Sequence, residues 1–396
     1  GEAIMKVAYP HETRKSHLNK KGRAGFVMSS QASSAGRDEA KVRQQLVETG
    51  DVDVMIAIRS NFFYTRTVPC ELWFLDRDKP EEQRDNVLML DARSIYRVVT
   101  RKIYDFSPEQ AQNLLAIVWL YRGQTEKYLG LVSSYCRRML DEAASCFHSD
   151  DAEGKEANPW SAFSDAIEAL INAMQPFLQS LPQDAAPAEV QKELSAAFPV
   201  FQADVEGFQT ALAEQETIWK QQECTNGALK AAVDRLATLA EASRDLVKGA
   251  DLLTKLAMRL IETCEKECGA KESDLWTSRD IARARKDADE ARQQAVEQLK
   301  RVRYFWRQAH WLTDRFPEGK LCDVEGLVKL VDRAEIEAND WSLTPGRYVG
   351  VAPEEIDEDF DFEETLREIH VELEDLNAEA ATLAATIQKN FEELGI

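Results

Sequence analysis

The chain has 396 residues, enough for two or three domains, and its 44% hydrophobic content allows a real core. A net charge of −21 excludes a simple nucleic-acid-coating protein, so any contact with DNA needs a local basic patch or a partner that supplies positive charge. No apolar run reaches the ~18 residues of a membrane helix, and no secretory h-region opens the chain.

The first 17 residues are polar and without period. The chain starts at Gly1 rather than Met, which leads us to expect a processed or truncated product. Ala24–Met28 reads as a short buried strand, and Ser29, Ser30, Gln31, Ser33 and Ser34 form a polar loop at its end. Asp38–Glu48 reads as a helix with Ala40, Val42, Leu46 and Val47 on its apolar face, stopped by Gly50 near a C′ position.

Val52–Ile58 and Val68–Leu75 are continuous apolar runs rich in β-branched residues, as suits strands covered on both faces. The loop between them carries Phe62, Phe63 and Tyr64 in a row, too exposed in context to be ordinary core. Loops at the ends of buried strands are where α/β proteins place their chemistry. Val87–Leu90 is a further strand, and the strand–helix–strand alternation implies an α/β sheet.

After Phe106 the period changes. Ser107-Pro108-Glu109 is a helix start with Pro at the first helical position, and Leu114, Leu115, Val118 and Trp119 supply the apolar side. From there to about Leu312 the pattern is nearly all helical, with breaks at Glu153–Pro159 and Pro182–Pro187. Leu229, Val233, Leu236, Ala240 and Val247 form one seam; Ala284, Ala288, Ala291 and Ala295 form a small-residue seam on a later helix. These predict a long antiparallel hairpin, roughly 204–266 against 274–312, with its charged residues as solvated faces.

At the end of the chain Leu366, Leu373, Ala380, Ile387 and Leu394 recur every seven residues, with Ile369, Leu376 and Leu383 three residues after the first three and Asn390 at the fourth such position. A helix with so narrow an apolar seam needs another helix to cover it, from its own chain or another subunit. The predicted organisation is therefore an α/β portion over 1–106, a helical region with a long hairpin over 107–315, and a segment 316–396 ending in a coiled-coil helix.

The seven Cys have no disulfide-framework spacing; Cys264 and Cys268 read as ordinary helix positions rather than metal ligands. His11, His17, His148, His310 and His370 are scattered and read as surface or helix-face residues. No Asp…Glu-x-Lys set and no P-loop supports a nuclease or helicase.

LNKKGRAGFVMSS, NFFYTRTVPCELWFLDR, VLMLDAR and the late LTPGRYVG (Leu343–Gly350), in that order, resemble the modification subunit of type I restriction-modification systems, an adenine-N6 DNA methyltransferase. The final helix resembles that family's C-terminal helix, so the resemblance covers about 16–122 and 320–396. It implies the later strands of a Rossmann-like methyltransferase sheet, followed by a mostly helical region.

The resemblance also implies S-adenosylmethionine as cofactor of the intact subunit, and as partners the DNA-specificity subunit, the restriction subunit and double-stranded DNA, in the cytoplasm. Adenine methylation requires a base rotated out of the duplex. The family's aromatic loop lies beside that base, which points to Phe62, Phe63 and Tyr64 as stacking residues. Arg59, Arg66 and Arg37 are then expected to meet phosphates, with Ser30 bordering the same cleft.

Pro345, Gly346, Arg347 and Tyr348 are expected to form a structural type II turn leading into an extended segment, with Gly supplying φ > 0. Leu366, Ile369, Leu373, Leu376, Leu383, Ile387 and Leu394 are the expected docking positions for the specificity subunit.

The sequence departs from the family at two places. No Asp/Phe-x-Gly-x-Gly turn follows a strand, and the sole echo of the Asn-Pro-Pro-Phe/Tyr loop is Asn158-Pro159-Trp160, which reads as an N-cap with Pro at N1. The expectation is a C-terminal portion of the subunit with no complete catalytic constellation, which does not bind the cofactor alone. The alternative is a non-catalytic helical scaffold derived from such a subunit.

Overall fold

A computed structural model describes residues 18–63, 67–100, 103–147 and 158–352, and in the C-terminal segment positions 366, 369, 373, 377, 380, 383, 384 and 387. The chain divides into two compact units, Gly1–Gly350 and Val351–Ile396.

The first unit is built on a five-stranded sheet. Its strands are β1 (Arg23–Ser29), β2 (Val52–Ile58), β3 (Cys70–Asp76), β4 (Asn86–Asp91) and β7 (Val328–Asp332), in the order β1-β3-β2-β4-β7. β2 and β4 are parallel; the other neighbours are antiparallel. Helix α1 (Asp38–Glu48) precedes β2 and ends as its sequence requires, with Gly50 at φ 74°. A separate two-stranded hairpin, β5 (Arg97–Thr100) and β6 (Ile103–Asp105), follows β4.

Alternation along the strands gives the sheet two apolar faces. Val54, Ile56, Ile58, Leu88 and Leu90 face the helical layer, whereas Met55, Trp73, Val87, Met89 and Val331 pack with Leu46 and Val47 of α1, Ile336, Leu343 and Tyr348. Every residue of β2 is buried, the consequence of a strand covered on both sides.

The helical layer comprises α2 (Pro108–Tyr121), α3 (Thr125–Ser145), α4 (Pro159–Leu178), α5 (Pro187–Trp219), α6 (Asn226–Glu267) and α7 (Ser278–Arg315). A capping box starts α2: the Gln110 N–H donates to Ser107 Oγ and the Ser107 N–H to Gln110 Oε1. Its buried face is Leu114, Ile117, Leu120 and Tyr121 rather than one that includes Leu115, which is 46% exposed. Arg122, just past its end, ties the helix to β2 through buried Asp53 at 2.7 Å.

The helix expected over 204–266 is two helices. α5 stops at Trp219, and Thr225 caps α6 by accepting the Ala228 N–H, ahead of the poor helix formers Asn226 and Gly227. α6 and α7 run antiparallel: Arg292 pairs with Asp251, Arg303 with Glu241, and the Trp306 indole donates to Val233 O. Ala288 and Ala295 are fully buried on α7, which also packs on α3, where Gln298 donates to Glu142 and Tyr128 to Leu312 O.

Beyond α7 the chain returns to the sheet. β7 pairs with β4, with Leu88 opposite Leu330, and leads into the short helix α8 (Arg333–Ala338). In the second unit the described positions from 366 onward are helical, and Leu366, Ile369, Leu373, Leu383 and Ile387 are exposed; Leu376 and Leu394 lie outside the described residues.

Candidate nucleic-acid interface

The register brings three loops to one end of the sheet. Cys70 lies opposite both Ser29 and Ile58, and Ala57 opposite Asp91, so the chain leaves β1, β2 and β4 at the same edge. The Ser30 N–H donates to Pro69 O at 3.1 Å, joining the serine loop to the end of the aromatic loop. Carboxyl ends of parallel-running strands are the usual site of chemistry in such sheets.

Arg59 leaves β2 and is captured at once. Its guanidinium lies 3.8 Å from the Tyr96 ring centroid and 3.9 Å from that of Tyr104, and the two rings meet edge to face. A partly desolvated cation–π contact of this kind contributes about 1–2 kcal/mol. Arg59 Nε is buried and has no hydrogen-bond partner among the described residues. Asn61 adopts φ 61°, and its carbonyl accepts the Tyr104 N–H at 3.1 Å, which fixes the hairpin to the loop.

The aromatic triplet divides. Phe62 turns inward, 4.5 Å from the Phe106 ring, while Phe63 is 36% exposed. Tyr64 and Arg66 lie outside the described residues. Arg37 is exposed at φ 57°, and Ser30 is half-buried with its carbonyl accepting from Ser33 Oγ. The structure thus brings Ser30, Arg59, Phe62 and Phe63 to one edge; Arg37 sits one turn further along the serine loop, at the start of α1.

The hairpin is braced from behind. Arg97 forms a two-point pair with Asp105, and Gln110 Nε2 donates to Tyr96 O at 3.0 Å. The helical layer reaches the same place: Tyr304 of α7 lies 3.0 Å from Ser107 Oγ and donates to Glu109 Oε2 at 3.0 Å, and Arg138 pairs with the other oxygen of Glu109.

On the opposite flank, LTPGRYVG closes over the serine loop. Ser33 Oγ lies 2.8 Å from Thr344 Oγ1, the Leu343 N–H donates to Ser33 O, and Arg43 donates to Trp341 O and Ala32 O. Pro345–Arg347 is a 3-10 turn, and Tyr348 continues at φ −106° and ψ −33°, so neither a type II turn nor an extended segment forms. Gly346 serves by close approach instead of positive φ, since a Cβ there would stand 2.5 Å from Arg93 Nη2 and 3.2 Å from Asp91 Oδ2.

Beneath this segment Glu71 is 1% exposed, and Oε2 has no hydrogen-bond partner among the described residues. Burial pushes its carboxyl up to about 7, against the opposing pull of the Ser33 hydroxyl, the Trp73 indole and the Arg93 guanidinium.

The Asn158-Pro159 echo is a helix cap. Asn158 Oδ1 accepts the Ser161 N–H at 2.8 Å and Pro159 is the first residue of α4. Sequence reasoning missed the hairpin. Its signal was available: residues 93–104 (RSIYRVVTRKIY) hold four basic side chains, two tyrosines and no acid, in a chain of net charge −21.

No helix among the described residues is long and apolar enough to cross a membrane. Residues 13–138 match the family described as N-6 DNA Methylase, so the match ends inside α3. Over 86 residues (22% of this chain and 15% of the relative) the chain is 34% identical to the type I restriction enzyme MjaIX methylase subunit of Methanocaldococcus jannaschii. Over 94 residues (24% and 21%) it is 28% identical to the type I restriction enzyme HindI methylase subunit of Haemophilus influenzae.

The matched stretches therefore span about a fifth or less of the length of these curated relatives. A solved methyltransferase subunit of a type I restriction-modification system from Streptococcus thermophilus aligns at 21% identity and a TM-score of 0.24, over 25% of this chain and 21% of that one. Part of the chain is thus similar to N-6 DNA methylases and to the methylase subunits of type I restriction enzymes.

Proposed function

We propose that this chain is part of the modification subunit of a type I restriction-modification system, which methylates adenine N6 in DNA with S-adenosylmethionine. One observation carries the reading. Within the family match, the ends of β1, β2 and β4 converge on an edge that displays Phe63 beside a tyrosine-held arginine. An exposed ring there suits stacking on an extruded base, worth roughly 1–3 kcal/mol.

The described residues do not fit a cofactor cradle at this edge. No glycine with positive φ lies in Ser30–Arg37, Arg59–Pro69 or Ala92–Tyr96, and the close approach at Gly346 is taken up by Arg93 and Asp91. The cofactor belongs to the intact subunit, and this chain contributes the base-side wall of the cleft.

The exposed apolar positions Leu366, Ile369, Leu373, Leu383 and Ile387 favour a docking helix, and the specificity subunit is the partner this reading assigns to it. The restriction subunit and duplex DNA complete the assembly, in the cytoplasm. The same exposed positions would serve a non-catalytic scaffold. Assembly of the intact subunit with its specificity subunit, followed by mapping of N6-methyladenine on incubated DNA, separates the two. Methylated adenines support the main reading; an assembled complex that leaves DNA unmodified leaves the scaffold.

A further inference from the structure

The segment Asp340–Val349 is docked with strained backbone at one end and a buried acid beneath it. Asp340 and Trp341 adopt φ 55° and 56°, the left-handed region that residues other than glycine rarely accept. The contacts that anchor the segment come from far away in sequence. Buried Arg43 of α1 donates to Trp341 O and Ala32 O, the Leu343 N–H donates to Ser33 O, and Thr344 Oγ1 meets Ser33 Oγ. Leu343, Tyr348 and Val349 are buried in the docked segment.

Glu71 and Trp73 lie beneath it on one face of β3, and Glu71 Oε2 and Trp73 Nε1 are buried with no hydrogen-bond partner among the described residues. The charged and titratable groups that face Glu71 are Arg43 of α1, Asp91 and Arg93 at the end of β4, and neighbouring Cys70. From the segment itself Tyr348 faces Arg43, and its hydroxyl donates to Ser342 O. The cations are committed: Arg43 to its two carbonyls and Arg93 to Asp91. Ser33 Oγ has one proton and Ser30 O can only accept, so that proton goes to Ser30 O at 2.7 Å and Thr344 donates to Ser33.

A neutral Glu71 asks nothing of these groups, whereas a buried carboxylate needs a donor. It gains one by turning the Ser33 proton away from Ser30 O, by drawing Arg43 off its carbonyls, or by drawing Arg93 from Asp91, the pair against which Gly346 is packed. Each of these moves loosens the seat of the segment. We propose that Asp340–Val349 is a strap latched by the proton on Glu71, closed over the serine loop while the carboxyl is neutral and released when it ionises. The strained backbone at Asp340 and Trp341 favours release once the latch opens. Because the serine loop carries Ser30 to the sheet edge described above, the strap governs the order of that edge. The device belongs to the fold and stands whether or not the chain serves DNA methylation.

The test is hydrogen exchange followed by mass spectrometry on the full chain from about pH 5 to about pH 8, read as protection factors so that the intrinsic pH dependence of exchange cancels. Burial raises the Glu71 carboxyl from 4.5 to about 7, so the closed strap loses stability across that interval and no further above it. Peptides covering 342–349 should lose protection about tenfold or more between pH 5 and pH 7 and level off beyond, while peptides of β2 and β4 keep theirs.

E71Q, neutral at every pH, should keep the protection of 342–349 high and constant over the whole range. The wild-type curve decides the matter alone if E71Q does not fold. Flat protection of 342–349 in the wild type overturns the proposal. So does a pH-dependent loss that persists in E71Q, or one that β2 and β4 share in full, which is opening of the whole unit rather than of the strap.

Discussion

Ser33 Oγ lies 2.8 Å from Thr344 Oγ1, a contact between residues 311 positions apart. The serine loop after β1 and the LTPGRYVG turn are thereby one structure, seated over Glu71 and against the Asp91–Arg93 pair.

That seat makes Gly346 sensitive to its neighbour. Gly346→Ala places a methyl against Arg93 Nη2, so the guanidinium must leave Asp91; we expect a cost of about 1 kcal/mol in urea unfolding. Because Arg93 is the obstacle, the same substitution in an Arg93→Ala background should be nearly neutral. Additive costs in this double-mutant cycle would refute the steric account.

Glu71 sets a pH dependence of stability. Its carboxyl is raised from 4.5 to about 7, chiefly by burial, so the native state binds its proton more tightly than the unfolded chain does. The stabilising neutral form is fully present below about pH 4.5 and its contribution is lost as pH rises through about 7, worth at most about 3 kcal/mol. Glu71→Gln should therefore be more stable than wild type at pH 8 and similar at pH 5, measured by urea unfolding at both. Equal differences at the two values would sink the prediction.

Asn158 separates capping from chemistry. Asn158→Ala removes the acceptor for the Ser161 N–H and should lower stability by about 1 kcal/mol. The assembled complex should methylate at the wild-type rate. A large loss of methylation with an unchanged melting temperature would return this residue to the catalytic loop.

The exposed heptad positions predict an assembly defect. Ile369→Asp with Leu373→Asp puts two charges on the apolar seam and should abolish co-purification with the specificity subunit, with the circular dichroism of the α/β unit unaltered. Undiminished co-purification would show that the seam is not the docking face.

Strands β2 and β4 and helix α1 were legible because local pattern determines them: buried apolar runs, and a helix ended by Gly50. β1 was legible as a strand but not as a buried one, since it lies at the sheet edge with alternating half-buried and exposed residues, Val27 among the exposed; β3 begins only at Cys70, with Val68 exposed before it and Phe74 exposed within it. The capping signals at Ser107 and Asn158 were legible from local pattern as well. β7 was not, since LVKLVD becomes a strand only by pairing with β4 across the whole helical layer. Gly346 was misread because positive φ and close approach demand the same residue, and only the position of Arg93 tells them apart. The face of α2 was misjudged at Leu115, where packing against α3 and α7 decides which stripe is covered. Arg59 was expected to meet phosphate, and its seat between two rings was not foreseen, because the tyrosines that hold it stand 37 and 45 residues further along the chain.

The pairing of β7 with β4 also sets a timetable. At ordinary elongation rates the stretch 92–327 takes roughly 10–50 s to emerge from a ribosome. Until then the outer edge of β4, buried in the finished protein, is an unpaired template for any passing strand. A nascent chain of this protein thus passes through a prolonged interval in which a chaperone has something to hold, and a message truncated within the helical layer yields a product with its sheet still open.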